Sequence, residues 1–183
     1  MSGQIRYINW EDNSNIKLST CHLNGPHSDV AFLPGREADP LFISGGRDGV
    51  TKLWTSKTCD QLIEYASSSK PVTLVMCHPE LKLVAVCSQE GYVTVYNVQT
   101  LGCSGQFSVG DTRYVNSGEW HKDNMLVGMS DGSICTVSCS DWSNIQTVHL
   151  QPLTSIYTNV QSLSYSLLEG SEKMIASSES GVV

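Results

Sequence analysis

Apolar and polar positions along the chain follow a repeated pattern. An apolar run is followed by a short polar turn that ends in glycine, and apolar and polar residues then alternate. Full copies span 42–54, 84–96 and 125–137, and a shortened copy spans 174–183. The turn glycines follow one another at intervals of 42, 41 and 49 residues, at Gly49, Gly91, Gly132 and Gly181. Because such a period is typical of repeat folds, the whole chain is predicted to be an array of similar units.

Each copy is predicted to be a β-hairpin. Its two halves are rich in β-branched, aromatic and aliphatic residues, and the turn between them ends in Asp-Gly, Glu-Gly or Ser-Gly, which favours the positive φ of a tight turn. Further short strands are predicted before the hairpins, at 28–33, 72–77, 115–120 and 160–165, and after the first three, at 61–66, 104–109 and 144–150. Apolar spacing typical of helices is nearly absent. The sequence therefore predicts an all-β fold with four short strands per repeat.

The first full copy resembles a repeat of the WD40 family of β-propellers. The resemblance rests on Gly25-Pro26-His27, on Phe32 and Pro34 after the first strand, and on the Asp and Trp of the hairpin. It implies that a histidine, a hydroxyl residue, an aspartate and a tryptophan form a buried hydrogen-bonded chain. The matching residues are His27, Ser44, Asp48 and Trp54.

The resemblance also implies how the chain divides into blades. Three full blades are expected at 25–68, 69–110 and 111–152, with half blades at 1–24 and 153–183. Since rings of this family usually have seven blades, residues 1–183 are expected to be part of a larger seven-bladed ring. The alternative is that the two half blades join into one composite blade and close a four-bladed ring, which would remove an exposed strand edge. The copies are degenerate, because Thr55 stands where the family has Asp.

Composition narrows the classes of partner. The formal charge of −7 and a pI near 5.1 argue against binding to nucleic acid or insertion at an anionic membrane, which require clustered Lys and Arg. The seven cysteines include no Cys-x-x-Cys pair, and Cys135 and Cys139 alone do not make a zinc site. No metal or cofactor is expected, and the protein is predicted to be intracellular, in cytoplasm or nucleus.

One motif suggests an enzyme. Gly128-Met-Ser-Asp-Gly132 matches the Gly-x-Ser-x-Gly elbow of serine hydrolases, with Ser130 as the nucleophile. That elbow leads from a strand into a helix, whereas residues 133–137 are predicted to be a strand. The motif is therefore interpreted as a hairpin turn with no catalytic residue, and a serine hydrolase-like enzyme remains the alternative.

The leading hypothesis is a non-enzymatic scaffold that binds other proteins of a multi-subunit complex and has no small-molecule substrate. In the WD40 family, the hairpin turns and the loops that precede each blade share one face, and partners often dock there. Transferred by position, this face contains Arg47, Arg113 and Tyr114, and a predicted outer loop carries Trp142. Arg, Tyr and Trp are enriched in protein interfaces because they combine a large contact area with a polar group.

A finer resemblance concerns the WD40 nucleoporins of the Y-shaped nuclear pore subcomplex. It rests on residues 78–86 together with Gly91, Tyr96, Ser117, Trp120, Asn124, Val127, Gly128 and Gly132. Most of these positions are shared by blades of many WD40 proteins. The resemblance implies a structural subunit of the nuclear pore as one expectation, and another intracellular WD40 adaptor as the alternative.

Overall fold

The computed structural model describes residues 5–18, 22, 27–34, 38, 40–66, 69–110, 113–149, 159–168 and 171–178. Within these residues the chain forms sixteen β-strands, one short 3-10 turn at Gln89–Gly91 and no α-helix. The predicted all-β fold built of WD40-type blades is confirmed. In the described part of the chain, no helix has the length and apolar character needed to span a membrane.

The strands of the described residues form five sheets, and each sheet consists of strands that are consecutive in the chain. β1 (Ile5–Ile8) pairs with β2 (Asn15–Leu18). The next sheet contains β3 (His27–Phe32), β4 (Leu41–Gly46), β5 (Val50–Thr55) and β6 (Gln61–Ala66). The third contains β7 (Val72–Cys77), β8 (Leu83–Ser88), β9 (Tyr92–Asn97) and β10 (Cys103–Ser108). The fourth contains β11 (Val115–His121), β12 (Asn124–Met129), β13 (Ser133–Ser138) and β14 (Asp141–His149). The last pairs β15 (Val160–Leu168) with β16 (Ser171–Ser178).

Each four-stranded sheet lies within one of the predicted blade ranges, and each pair of strands lies within a predicted half blade. The turn glycines that the structure describes have positive φ, at 76° for Gly49, 74° for Gly91 and 83° for Gly132. A residue with a Cβ is strained in that conformation, which explains why glycine recurs there. Gly181 lies outside the described residues, and blade boundaries and ring size stay predictions.

The chain divides into two compact units. Unit 1 contains residues 1–88 and 94–104, and unit 2 contains residues 89–93 and 105–183. In unit 1, the strand register aligns Ala31, Ile43, Leu53 and Ile63 across the β3–β6 sheet. These four side chains pack with the buried Val72 of β7 in the main core cluster of the unit. Strand side chains alternate between the two faces of a sheet, so one register row covers one face.

The opposite face of the same sheet carries an aromatic cluster. Phe42 and Trp54 are paired in register, and their rings stack with centroids 6.0 Å apart and planes 9° apart. Cys59 joins this cluster, and Ile5 and Tyr7 of β1 pack against it. Both faces of the β3–β6 sheet are therefore apolar. A blade that packs against other strands on both faces requires this.

Unit 2 repeats this packing. Leu126 of β12 and Ile134 of β13 form a buried cluster with Val160 and Leu163 of β15. In both units a glycine of the second strand permits close contact with the next sheet. A Cβ atom at Gly45 would meet the side chains of Val72 and Val75, and one at Gly128 would meet Val160 and Ser117. The sheets are thus packed closely enough that these two positions have no room for a methyl group.

We expect Gly45→Ala to lower the free energy of unfolding by about 1–3 kcal/mol, because the added methyl group overpacks the contact between β4 and β7. Gly102→Ala is the matched control, since a Cβ there would meet only Thr100 Oγ1 at 3.6 Å. Urea unfolding of both variants checks this expectation. Equal stability of the two would contradict the packing of β4 on β7.

Candidate functional site

A buried chain of hydrogen bonds connects the loop before β3 to the β4–β5 hairpin. His22 Nδ1 lies 3.0 Å from Asp48 Oδ1, and His22 Nε2 lies 2.9 Å from Ser44 Oγ. Trp54 Nε1 donates to the same Ser44 Oγ at 2.9 Å. Asp48 Oδ1 also accepts from the N–H of Val50 at 3.1 Å, which holds the turn. Aspartate, histidine, serine and tryptophan are therefore joined in one continuous network.

The histidine of this network corrects the sequence prediction, because it is His22 and not His27. His27 is the first residue of β3 and pairs in register with Gly46, so its backbone belongs to the sheet. The network needs an imidazole that reaches the hairpin turn from the loop before β3, which is where His22 lies. The Gly25-Pro26-His27 sequence favoured the wrong residue, whereas Ser44, Asp48 and Trp54 do meet in one network.

Burial explains why the network has to be complete. Ser44 is 0%, Trp54 5% and His22 6% exposed. A buried polar group that loses its partner costs about 1–3 kcal/mol, so each member depends on the others. Gly46 makes room for the ring, since a Cβ there would overlap His22 and Asp48. Gly46, two residues before Asp48, is thus a sequence signal for a ring packed at this turn, and sequence analysis missed it.

The hairpin turn of the β11–β14 sheet uses a different basic residue. Arg113 Nε forms an ion pair with Asp131 Oδ2 at 3.1 Å, and Nη1 donates to Ser133 Oγ at 3.3 Å. Asp131 precedes the turn glycine as Asp48 does in the other sheet. Arg113, predicted to bind a partner, is thus held within its own blade with about a third of its side chain exposed, at 35%. Partner binding by Arg113 stays a prediction.

Two of the predicted interface residues are exposed at these turns. Arg47 is exposed beside Asp48 in the β4–β5 turn. Tyr114 is 43% exposed, and its backbone is fixed by two hydrogen bonds to Ser130. The Tyr114 N–H donates to Ser130 Oγ at 3.1 Å, and the Ser130 N–H donates to the Tyr114 carbonyl at 2.9 Å. An aromatic side chain on a fixed backbone is a suitable interface anchor.

Ser130 is not in a serine-hydrolase elbow. The turn at Ser130 leads from β12 into β13, whereas the elbow leads from a strand into a helix. The Ser130 hydroxyl accepts a backbone hydrogen bond that ties β11 to the hairpin. The structure contradicts the hypothesis of a nucleophile elbow and supports the interpretation as a turn.

Trp142 was predicted to lie on an outer loop, and this is wrong. It lies in β14, the outermost strand of its sheet, and is half-buried. Its ring stacks on Phe107 with centroids 5.7 Å apart and planes 8° apart, directly over Gly105. The run Ser-Asp-Trp-Ser looked like a loop because its polar residues form a local turn, in which Asp141 Oδ1 accepts from the Ser143 N–H. Trp142 thus packs inside unit 2, and partner binding by Trp142 stays a prediction.

Asp29 is a structural residue that sequence analysis did not identify. Its Oδ2 atom accepts from the N–H of Val75 at 2.9 Å and thus connects β3 to β7, and Oδ1 accepts from the N–H of Val30. An acidic residue directly before the apolar run of β3 is the signal that could have found it. No group of metal-ligating side chains occurs among the residues that the structure describes.

The cysteines that the structure describes are thiols, and several have raised pKa values. Burial raises the pKa of Cys87 to about 12, and the nearby Asp29 carboxylate adds to the effect. The same two causes raise the pKa of Cys77 to about 12. Burial, reinforced by Asp123, raises the pKa of Cys139 to about 11. Since the thiolate is the reactive form, these cysteines are poor nucleophiles at neutral pH.

Comparisons with known proteins support the fold and give a match to WD repeat proteins over part of the chain. No protein-family model matches the chain. WD repeat-containing protein 55 homologs of Drosophila willistoni and Drosophila virilis are 34% and 33% identical to it over 58 residues, which are 32% of this chain. The match covers 12% of each relative, so the chain corresponds to a small part of them. The crystal structure of the computationally designed Ika4 protein has a similar fold, with a TM-score of 0.68 and 16% identity over 89% of this chain and 91% of that chain.

We expect His22→Ala to lower the free energy of unfolding by about 2–4 kcal/mol, because it leaves Asp48 and Ser44 without their imidazole partner. The same substitution at His27 is the comparison that tests the corrected assignment. Thermal and urea unfolding measure both variants. A larger loss for His27→Ala than for His22→Ala would show that the assignment is wrong.

The raised thiol pKa values predict that stability falls at alkaline pH. Above the ordinary thiol pKa of 9.0, the unfolded chain loses protons that folded Cys77 and Cys87 keep up to about pH 12, so the unfolded state is favoured as pH rises. Each thiol contributes about 1.4 kcal/mol per pH unit over this range. Urea unfolding between pH 8 and 11 should show a shallower decline for Cys87→Ala than for the wild type. Cys103→Ala, at an exposed position, should decline like the wild type.

Proposed function

We propose that this chain is a WD40-type scaffold that binds other proteins within a multi-subunit complex and catalyses no reaction. The single observation that carries the proposal is the division of roles at the hairpin turns. Asp48 and His22 are committed to a buried network, and the Ser130 hydroxyl to a backbone hydrogen bond. Arg47 in the β4–β5 turn is exposed, and so is Tyr114, which precedes β11 and is hydrogen-bonded to Ser130 of the β12–β13 turn.

This arrangement suits protein binding better than catalysis. Catalysis needs a nucleophile within hydrogen-bond distance of a base, and Ser130 instead accepts from a backbone amide. Protein binding is favoured when large side chains stand on a backbone that is already ordered before association. Hydrogen bonds hold the backbone in both places, from the Val50 N–H to Asp48 in the β4–β5 turn and from the Tyr114 N–H to Ser130. The match to WD repeat-containing proteins over 58 residues supports the same class of function.

The location and the complex belong to the proposal as well. Six cysteines among the residues that the structure describes are thiols without a disulfide bond. Free thiols are typical of a reducing compartment such as cytoplasm or nucleus, which supports this location. Membership of the Y-shaped nuclear pore subcomplex is the finer hypothesis, and it rests on the sequence resemblance alone. In that case the partner would be another nucleoporin.

The proposal is tested by placing a photo-crosslinking amino acid at position 47 or 114 in cells and identifying the crosslinked protein. The matched controls are positions 57 and 140, which lie in exposed turns at the opposite ends of the same two sheets. We expect a defined partner to be crosslinked at position 47 or 114 and not at the control position of the same sheet. Tyr114→Ala should weaken binding of that purified partner about 10- to 30-fold, the loss typical of an interface anchor. Equal crosslinking from all four positions would contradict docking at the turns.

A further inference from the structure

Unit 1 has a small pocket at the end of its sheets opposite to the β4–β5 turn. Its walls come from the segment after β3, the β7–β8 turn and the β9–β10 turn. Consecutive turns of an antiparallel sheet alternate between its two ends, so these turns are remote from Arg47. The pocket has a volume of about 30 Å³ and opens to solvent. None of its lining residues is used in the proposed function.

The floor of the pocket is apolar and rigid. Leu33 and Val84 are 8% and 1% exposed and belong to the main core cluster of unit 1, and Val98 packs against that cluster. The Val98 N–H donates to the Lys82 carbonyl at 2.9 Å, which fixes the two turns against each other. His78 stabilises the β7–β8 turn, because its Nδ1 accepts from the N–H groups of Glu80 and Leu81. The pocket is thus preformed, and its floor is apolar.

The rim supplies a positive charge. Lys82 lines the pocket and is exposed, and its ammonium forms no ion pair with any residue in the described part of the chain. Its backbone has a φ of 53°, the left-handed turn conformation that Cys59, Leu101 and Lys122 also adopt in other turns between consecutive strands. Gln99 adds an exposed amide to the rim, and Leu81 beside it is 41% exposed. Glu80 is exposed as well but does not line the pocket.

We propose that this pocket binds a short acidic segment of a partner protein, which inserts one aliphatic side chain over Leu33, Val84 and Val98 and places a carboxylate at Lys82. The apolar floor selects the Leu, Ile or Val side chain, and the unpaired ammonium selects an Asp or Glu next to it. A membrane surface does not fit, since binding to anionic lipid needs a cluster of basic residues and this rim has one lysine. The proposal rests on the scaffold function but uses separate residues.

The test is selection of a random ten-residue peptide display library on the full chain. We expect enriched peptides to carry Leu, Ile or Val within two positions of Asp or Glu. One enriched peptide, labelled with a fluorophore, should bind Lys82→Glu at least tenfold more weakly than the wild type by anisotropy. Lys57→Glu makes the same charge change at an exposed lysine away from the pocket and should bind as the wild type does.

Val98→Lys provides a second variant, which blocks the floor instead of the rim and should also abolish binding. Circular dichroism and thermal unfolding verify that each variant is folded. Selection without enrichment, enriched peptides that lack the apolar–acidic pair, or equal binding by folded Lys82→Glu would overturn the proposal. Crosslinking from positions 47 and 114 is independent of Lys82, so failure at the pocket is distinguishable from failure of the scaffold function.

Discussion

Close packing of one sheet on the next is the constraint on which the rest of this structure depends. A four-stranded antiparallel sheet with two apolar faces is not stable alone, because both faces have to be removed from water. Gly45 and Gly128 lie where the next sheet approaches most closely, and each faces a buried valine, Val72 in unit 1 and Val160 in unit 2. The same contact therefore recurs in both units, which explains why the apolar pattern repeats along the chain.

The polar residues inside this packing follow from the same constraint. Once the sheet faces are buried, any polar side chain within them has to find a partner. Ser44 does so with His22 and Trp54, and Asp29 does so with the backbone of the neighbouring sheet. In unit 2 the ion pair of Arg113 and Asp131 stands at the corresponding hairpin turn. Different side chains thus meet the same requirement at equivalent turns.

The side chains available for binding other molecules are those that take no part in the packing or in the internal hydrogen bonds. In unit 1, the hairpin turn uses Asp48 in the buried network and leaves Arg47 exposed at one end of the β3–β6 sheet. At the other end, the tight β7–β8 turn creates the pocket beside Lys82. Unit 1 thus exposes different side chains at the two ends of its sheets, and under the proposed function each end is available to a different partner.

The fold class and the order of the strands along the chain are predictable from the sequence, and the family resemblance supplies Ser44, Asp48 and Trp54 of the hydrogen-bonded network. Period-2 alternation and turn glycines at a regular interval are local signals, and local physics suffices to produce a hairpin. Only the assembled fold distinguishes His22 from His27, because both lie before the hairpin in sequence and the backbone of His27 belongs to β3. It also decided that Trp142 packs on Phe107 and that Arg113 pairs with Asp131, since those partners are distant in sequence and meet only when strands and turns are assembled.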